Sequence, residues 1–342
     1  MADILILDGG LGTTLEQSHG VQFSPSQPLW SSSLLITSPS TLLACQSSFA
    51  RVPVDLLLTG TYQISIHGFS NTKTDQRPDG FAEKEIAPFV EDAVSIAEKA
   101  AKEGQGSTGV ALSVGPYGAC MVPSQEYSGR YESTHDSFEK LEAWHRERLE
   151  ILGSPQDSAS RLRYIALETI PRVDEIRAMR MALSKTPSLA SVPYWTCCLF
   201  PDLSSTNLPD GTPASLAVEA MLDSTIPGPR PWGIGINCTK VHRLEPLIQE
   251  YEAAVSKVLG DKEWPALVLY PDGTNGEVYN TTTKTWDMPE GTTGENGLAW
   301  EEVLATAVEG AQSRGKWKTI VVGGCCMASP EHIKRLRSRL LG

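Results

Sequence analysis

The sequence predicts an α/β fold, a single (β/α)8 barrel domain spanning residues 1–342. Short apolar, β-rich runs alternate with helical patterns along the chain, and each run ends at Gly, Pro, Asp or Asn. Buried strands that alternate with helices form parallel crossovers, and eight such units are the number that closes a barrel. A length of 342 residues is compatible with one large domain of this kind.

The eight apolar runs predict the strands in chain order. Each is short enough for a strand and is bounded by residues typical of turns. The runs are ILILD (4–8), VDLLLTGTY (54–62), GVALSVGP (109–116), RYIALET (163–169), YWTCCLF (194–200), WGIGINC (232–238), ALVLYPDG (266–273) and TIVVGGC (319–325).

The helical patterns follow these runs. Two of them begin with a serine before a proline, at Ser38-Pro39 and Ser329-Pro330, where the serine is a predicted N-cap and the proline takes the first helical position. The predicted helices cover 39–51, 83–103, 134–150, 172–185, 213–222, 241–258, 299–314 and 330–341.

An open, doubly wound sheet in two lobes is the alternative fold. No proline- or serine-rich linker divides the chain, and no G-x-G-x-x-G turn follows the first strand. The glycines of DGGLGTTLE have the spacing GGxG, which is a weak nucleotide signal. These features favour the barrel. Long polar loops at 115–131, 201–213 and 271–297 are typical of the mouth at which a barrel builds its active site.

Composition excludes several classes of function. A net charge of −12 and a pI near 5.0 oppose nucleic-acid binding, which depends on an excess of Lys and Arg. The sequence shows neither a signal peptide nor a membrane span. Seven cysteines, an odd number, fit reduced thiols better than a disulfide framework. We therefore expect a cytoplasmic protein, a monomer or small homo-oligomer, with small-molecule substrates and no nucleic-acid or membrane partner.

Three cysteines stand where strands end. Cys238 follows the sixth strand and the adjacent pair Cys325-Cys326 follows the eighth, so the three can meet over the barrel axis. Three thiolates in one place form a zinc site with an open fourth position. Neighbouring cysteines on an extended strand point to opposite faces, so both can bind one metal only where the chain turns, and Gly323-Gly324 predicts that turn.

Free cysteine is also a common small buried hydrophobe. We expect this simpler role for Cys197-Cys198, which lies inside YWTCCLF, and for Cys45 and Cys120. For Cys238, Cys325 and Cys326 the spacing alone leaves metal binding and core packing open. The six histidines lie in predicted helices or loops and are expected on the surface rather than as ligands. They are residues 19, 67, 135, 145, 242 and 332.

Two carboxylates, Asp8 and Glu168, lie at the ends of the first and fourth strands. Either can simply cap the following helix. Alternatively, both face the mouth and hold a substrate ammonium group, while the amides of Gly9-Gly10 take its carboxylate. An α-amino acid needs both kinds of contact.

Motifs along nearly the whole chain occur in the order of a known family. They are LDGGLGTTLE, TGTYQIS, GPYGA with EYSGRY, LETIP, GINCT and GGCC. The sequence therefore resembles the homocysteine S-methyltransferase family, the zinc-dependent (β/α)8 enzymes that methylate homocysteine to methionine.

The resemblance implies a role for individual residues. The zinc ligands of the family fall on Cys238, Cys325 and Cys326, and its acidic contacts to the homocysteine amino group fall on Asp8 and Glu168. Substrate-binding positions near the site also match, and they are Gly9, Gly10, Thr61, Tyr62 and Asn237. One departure is Arg130, where members often carry an acidic residue.

The chain also lacks the C-terminal extension of betaine-using relatives, so it most resembles the compact branch that uses S-methylmethionine or S-adenosylmethionine. These donors are sulfonium ions, which suit aromatic faces. The candidate aromatic residues are Tyr62, Tyr117, Tyr127 and Trp286. The methyl transfer needs no catalytic side chain beyond the zinc centre.

Two other functions remain open at this point. One is an aldolase-like barrel that forms a Schiff base or binds phosphate. Its nucleophile should be a lysine within a strand, whereas Lys240 lies two residues beyond the sixth run. The other is a barrel that binds zinc or an amino acid without turnover.

Overall fold

Eight parallel strands form one sheet that closes into a barrel in the computed structural model. It describes residues 2–24, 27–104, 107–155, 157–260, 262–274, 276–280, 285–287 and 298–342. The barrel strands are β1 (Asp3–Ile6), β2 (Leu56–Leu58), β3 (Gly109–Val114), β4 (Tyr164–Ile170), β5 (Tyr194–Cys198), β6 (Gly233–Asn237), β7 (Ala266–Tyr270) and β8 (Thr319–Val322). Each strand pairs in parallel with its neighbour. The predicted (β/α)8 fold and its eight strands are confirmed.

The first and last strands complete the ring. β1 pairs with β8 from Asp3 opposite Thr319 onwards, and the gap between β1 and β2 is closed by a parallel bridge from Leu7 to Leu56. The Asp8 amide extends this contact by donating to the Leu56 carbonyl oxygen at 3.1 Å. The two ends of the chain therefore meet in the wall of the barrel.

Helices cover the outside of the sheet, and all eight predicted helices are present. The helices are α1 (Leu11–His19), α2 (Leu34–Thr37), α3 (Pro39–Ala50), α4 (Ile66–Ser70), α5 (Ala87–Lys102), α6 (Phe138–Leu152), α7 (Ser158–Arg161), α8 (Val173–Ser184), α9 (Ala214–Met221), α10 (Leu244–Leu259), α11 (Trp300–Arg314) and α12 (Pro330–Leu341). None of those described is long and apolar enough to cross a membrane.

Four of the helices were not predicted. α2, α4 and α7 are only one or two turns long, which is too short for a periodic pattern. α1 was missed because its first turn, Leu11-Gly12-Thr13, is poor in helix formers. A two-stranded antiparallel hairpin, Val278–Asn280 with Thr285–Asp287, also lies in the long loop after β7.

The lower part of the barrel is filled and its upper end is open. Trp195 is fully buried inside the sheet, and its Nε1 donates to the Tyr270 hydroxyl at 3.2 Å. A side chain at Gly235 is impossible, because its Cβ would lie 1.8 Å from the Val268 carbonyl oxygen. Above Tyr270, at the carboxyl ends of the strands, the described residues enclose a cavity.

Glycines bring the segments after β1 and β8 together at that end. A Cβ on Gly9 would lie 2.2 Å from the Ala328 carbonyl oxygen, and one on Gly323 would lie 2.6 Å from the Asp8 carbonyl oxygen. The Gly10 amide donates a hydrogen bond to the same Ala328 carbonyl oxygen at 2.9 Å. The Gly-Gly pairs thus allow two main chains to pass in direct contact.

Candidate metal centre and substrate cavity

The adjacent cysteines lie in a turn, as predicted. β8 ends before Gly323, and the Ala328 amide donates to the Cys325 carbonyl oxygen at 3.1 Å, so residues 325–328 form a tight turn with Met327 at φ +65°. The Cys326 carbonyl oxygen accepts from the Gly273 amide at 2.7 Å. The turn lets both cysteines contribute to one site, which an extended strand does not.

Cys238 comes to the same place from β6. Its backbone turns sharply after the strand, with φ +46°, and its amide donates to the Tyr270 carbonyl oxygen at 3.2 Å. Cys238 and Cys325 are joined as a disulfide with their Cα atoms 5.5 Å apart, although 87 positions separate them in sequence. Cys326 is a free cysteine, and burial raises the pKa of its thiol to about 12.

The chemistry of this donor set fits a zinc ion, because catalytic zinc sites use three protein ligands and accept cysteine sulfur. All three cysteines line one cavity. Two of the sulfurs are bonded to each other here, and the residues described contain no group of three His, Cys, Asp or Glu side chains arranged to hold a metal ion. Reduction of that bond would release the two missing thiolates.

The cavity lies at the open end of the barrel and has a volume of about 100 Å³. Seven predicted site residues line it, and they are Gly9, Gly10, Tyr62, Glu168, Cys238, Cys325 and Cys326. The other three predicted residues, Asp8, Thr61 and Asn237, are buried but are not part of the lining.

The two predicted carboxylates lie near each other in this region. Asp8 Oδ2 accepts from the Leu58 amide at 2.9 Å, while Oδ1 has no hydrogen-bond partner among the described residues. Glu168 accepts a hydrogen bond from the Ser113 hydroxyl. Burial raises the pKa of Asp8 well above its usual range, and the charge of Glu168 adds to the rise. An incoming ammonium ion would offset both effects.

Neither carboxylate caps a helix. The N-cap of α1 is Gly10 and that of α8 is Arg172, and neither helix has a side-chain cap. The capping alternative for Asp8 and Glu168 is therefore not what the structure shows.

Asn237 contacts the neighbours of the site. Its Oδ1 accepts from the Thr169 amide at 2.9 Å, and its Nδ2 donates to the Thr169 hydroxyl at 2.7 Å and to Cys238 Sγ at 3.4 Å. Thr61 donates to the Ser113 carbonyl oxygen at 2.7 Å. These two residues lie behind the cavity wall, so direct contact with substrate stays a prediction for both.

The comparison with known families decides the class of protein. The family model described as homocysteine S-methyltransferase matches residues 5–340. The chain belongs to the homocysteine S-methyltransferase family. It is accordingly an enzyme of this family with the (β/α)8 barrel predicted for it.

Relatives of this methyltransferase cover nearly its whole length. Homocysteine S-methyltransferase of Escherichia coli is 31% identical over 98% of this chain and 95% of its own. Selenocysteine Se-methyltransferase of Brassica oleracea is 28% identical over 98% of this chain and 88% of its own. Among solved structures, the metallated form of the Escherichia coli homocysteine methyltransferase MmuM matches with a TM-score of 0.68 at 27% identity, covering 98% and 96% of the two chains. Its oxidised form matches with the same score at 28% identity.

Sequence reasoning missed several residues that line the cavity of this methyltransferase. They are Leu11, Gly12, Trp30, Leu58, Gln63, Ser113, Ser124, Glu126 and Tyr270. Trp30 had no local signal, because its ring reaches the site by packing on α1. A Cβ on Gly12 would lie 2.2 Å from that ring, so the glycine makes room for it. Ser124 and Glu126 belong to the 115–131 loop, which was predicted to build the mouth.

The candidate aromatic residues divide into two groups. Tyr62 and Tyr127 line the cavity of the methyltransferase. Tyr117 does not, and its ring stacks on His135 with centroids 4.4 Å apart. The side chain of Trp286 lies outside the described residues. Arg130, the departure from the family pattern, is exposed and is not part of the lining.

The prediction for the histidines was wrong at His145. This side chain is fully buried, and its Nε2 lies 2.8 Å from Glu175 Oε1 on the neighbouring α8. A buried carboxylate partner makes the inward position possible. The four other cysteines, residues 45, 120, 197 and 198, are free and buried as predicted.

Lys240, the candidate Schiff-base lysine, is held away from the cavity. Its Nζ lies 3.3 Å from Asp272 and donates to the Thr274 hydroxyl and the Glu277 carbonyl oxygen. It does not line the cavity. The structure therefore gives the aldolase-like alternative no support.

Glu168 gives this methyltransferase a pH-dependent stability. Burial raises the pKa of its carboxyl from 4.5 to about 7, so the folded state binds more protons than the unfolded state in that interval. The stabilising contribution is complete below the unfolded pKa and is lost as pH rises through about 7. Between pH 4.5 and about 7 the free energy of unfolding of the wild type should fall by roughly 3 kcal/mol because of Glu168, and Glu168→Gln should remove this fall. Urea unfolding of the zinc-free protein across that range measures it. An equal change of unfolding free energy with pH in both proteins would contradict the assignment.

Proposed function

We propose that this enzyme transfers a methyl group from a sulfonium donor, S-methylmethionine or S-adenosylmethionine, to the thiol of homocysteine and so forms methionine. The observation that carries the proposal is the meeting of Cys238, Cys325 and Cys326 on the wall of a cavity that also holds Glu168, with Asp8 beside it. The proposal includes one barrel domain over residues 1–342 and a reducing cytoplasmic location, because the site needs free thiolates.

Zinc held by the three cysteines would supply the positive charge that allows a substrate thiol to lose its proton at neutral pH. The chain orients the ligands itself. Asn237 Nδ2 donates to Cys238 Sγ at 3.4 Å, and the Thr169 hydroxyl lies 3.7 Å from the same sulfur. Such contacts to a ligand sulfur fix its direction towards the metal.

The amino-acid part of homocysteine would bind beside the metal. Asp8 and Glu168 would hold its ammonium group, and the free Oδ1 of Asp8 supplies an acceptor. The Gly10 amide is already engaged with Ala328, so we place the carboxylate at the first turn of α1, where Leu11 and Gly12 line the cavity. Amides in the first turn of a helix favour an anion.

The methyl transfer itself breaks one carbon–sulfur bond and forms another. The thiol proton leaves before the transfer, the sulfonium donor becomes a neutral thioether, and homocysteine becomes methionine. Trp30, Tyr62 and Tyr127 line the cavity and offer aromatic faces to the sulfonium charge. Alignment of the two sulfur atoms and exclusion of water are the contributions expected of the enzyme.

A comparison of donors tests the proposal. The zinc-loaded protein is incubated with homocysteine and one of S-methylmethionine, S-adenosylmethionine or betaine, and methionine is quantified. We expect methionine from at least one sulfonium donor and none from betaine. Binding of homocysteine by calorimetry without methionine from any donor would contradict the proposal and favour the non-catalytic barrel.

A further inference from the structure

The cavity wall contains a second group of polar side chains that the proposed homocysteine contacts leave unused. Gln63, Ser124 and Glu126 line the cavity and are only 6%, 4% and 7% exposed. They belong to the segments that follow β2 and β3, whereas Asp8 and Glu168 come from the ends of β1 and β4.

Gln63 is fixed in place before any ligand arrives. Its Nε2 donates to the Ala119 carbonyl oxygen at 2.7 Å. Arg148 of α6 donates to the carbonyl oxygens on either side, those of Tyr62 and Ile64, at 2.6 Å each. The Oε1 atom has no hydrogen-bond partner among the described residues. A buried acceptor without a donor is costly, and an N–H group of a ligand would satisfy it.

Glu126 adds a carboxylate to this part of the wall. Its charge contributes to the raised pKa of the Tyr62 and Tyr127 hydroxyls and of the Cys326 thiol, whose main cause is burial. The charge that acts on Asp8 is instead that of Glu168. The cavity lining therefore holds Glu126 as a further carboxylate besides Glu168, and the charges of both raise the pKa of the Tyr62 hydroxyl.

We propose that Gln63 and Glu126 form a separate subsite for the α-ammonium group of an amino-acid methyl donor. This inference rests on the proposed function and adds to it the class of donor. Two amino-acid substrates need two ammonium sites, and the wall offers two. A sulfonium amino acid carries both the N–H donors that Gln63 Oε1 lacks and a net positive charge complementary to Glu126. The quaternary nitrogen of betaine has no N–H and gains nothing from Gln63.

The test compares S-methylmethionine with its deaminated analogue, 4-(dimethylsulfonio)butanoate, as donors to homocysteine. The zinc-loaded full chain, Gln63→Met and Glu126→Gln are assayed for kcat/KM with each donor. We expect both variants to lose the preference for S-methylmethionine by roughly 10- to 100-fold, the size expected for a hydrogen bond to a charged group. The KM of homocysteine should change little. The kcat/KM with the deaminated donor should stay within about twofold, because this donor has no ammonium group for Gln63 and Glu126 to bind.

The ratio of the two donors is measured within each variant, so a loss of folded protein cancels. Gln125→Met is the control. It makes the Gln63 substitution in the loop that carries Glu126, at a residue outside the lining, and should keep the wild-type ratio. An unchanged ratio in both variants, or a rise in the homocysteine KM instead, would overturn the subsite while leaving the methyltransferase assignment intact. Failure of the wild-type protein to use any sulfonium donor would instead refute the proposed function.

Discussion

Cys238→Ala and Cys326→Ala should each leave the purified protein without stoichiometric zinc and should lower methionine formation by more than about 100-fold. Replacing a residue that only hydrogen-bonds to a metal ligand already lowers metal affinity or activity roughly 10- to 100-fold. Loss of a metal ligand itself should therefore lower them further. Two remaining sulfurs also cannot form the three-ligand set of a catalytic zinc site. Metal content and initial rate are measured on the same reduced sample.

Cys198→Ala is the control for these variants. Cys198 is fully buried, but it does not line the cavity, so its replacement should lower stability without releasing zinc. A Cys326→Ala variant with full activity and full zinc would show that the third cysteine is not a ligand. Wild-type protein that forms methionine equally well without zinc would remove the metal from the proposal altogether.

Asp8→Asn should raise the KM of homocysteine by roughly 30-fold or more, because removal of one partner of a buried charge pair costs about 2–5 kcal/mol. Asp8 is 3% exposed and has one carboxylate oxygen without a described partner, which is the position proposed for the ammonium group. The side-chain oxygen of asparagine can still accept from the Leu58 amide, so the local fold should persist. Steady-state kinetics at fixed donor concentration measure the effect.

A substrate without the amino group provides the control for Asp8→Asn. 4-Mercaptobutanoate has the thiol and the carboxylate of homocysteine but no ammonium, so its rate should be nearly the same in the wild type and the variant. If both acceptors lose activity equally, Asp8 acts on the site as a whole and not on the ammonium group. Asp210→Asn, a matched change at an exposed loop residue, should leave both KM values unchanged.

Much of the fold follows directly from the sequence. Parallel strands inside a barrel are buried on both faces, so they appear as continuous apolar runs that end in turn residues. All eight runs correspond to barrel strands for this reason. α1 escaped detection because its first turn contains Gly12 and Thr13, which are poor helix formers. Its position is fixed instead by tertiary contacts with α3 and with the ring of Trp30.

The candidate site was only partly predictable. Residues near the carboxyl end of a strand, such as Glu168 in β4 and Cys238 after β6, were found because their chain position determines the end of the barrel at which they lie. Trp30, Gln63 and Glu126 lie farther along their loops, and a loop path is set by its own contacts. Gln63, for example, depends on Arg148, which is 85 positions away and holds the chain on both sides of it.

The sequence by itself determined that Asp8, Glu168, Cys238 and the Cys325-Cys326 pair share one end of a barrel, because parallel strands present all their carboxyl ends on the same side. Only the tertiary structure decided which side chains reach the cavity and which stand behind it. That choice depends on the left-handed backbone at Cys238 and on the turn after Cys325. Gly323-Gly324 already indicated the turn, whereas the backbone at Cys238 depends on the hydrogen bond from its amide to the Tyr270 carbonyl oxygen of β7, which no local pattern reveals.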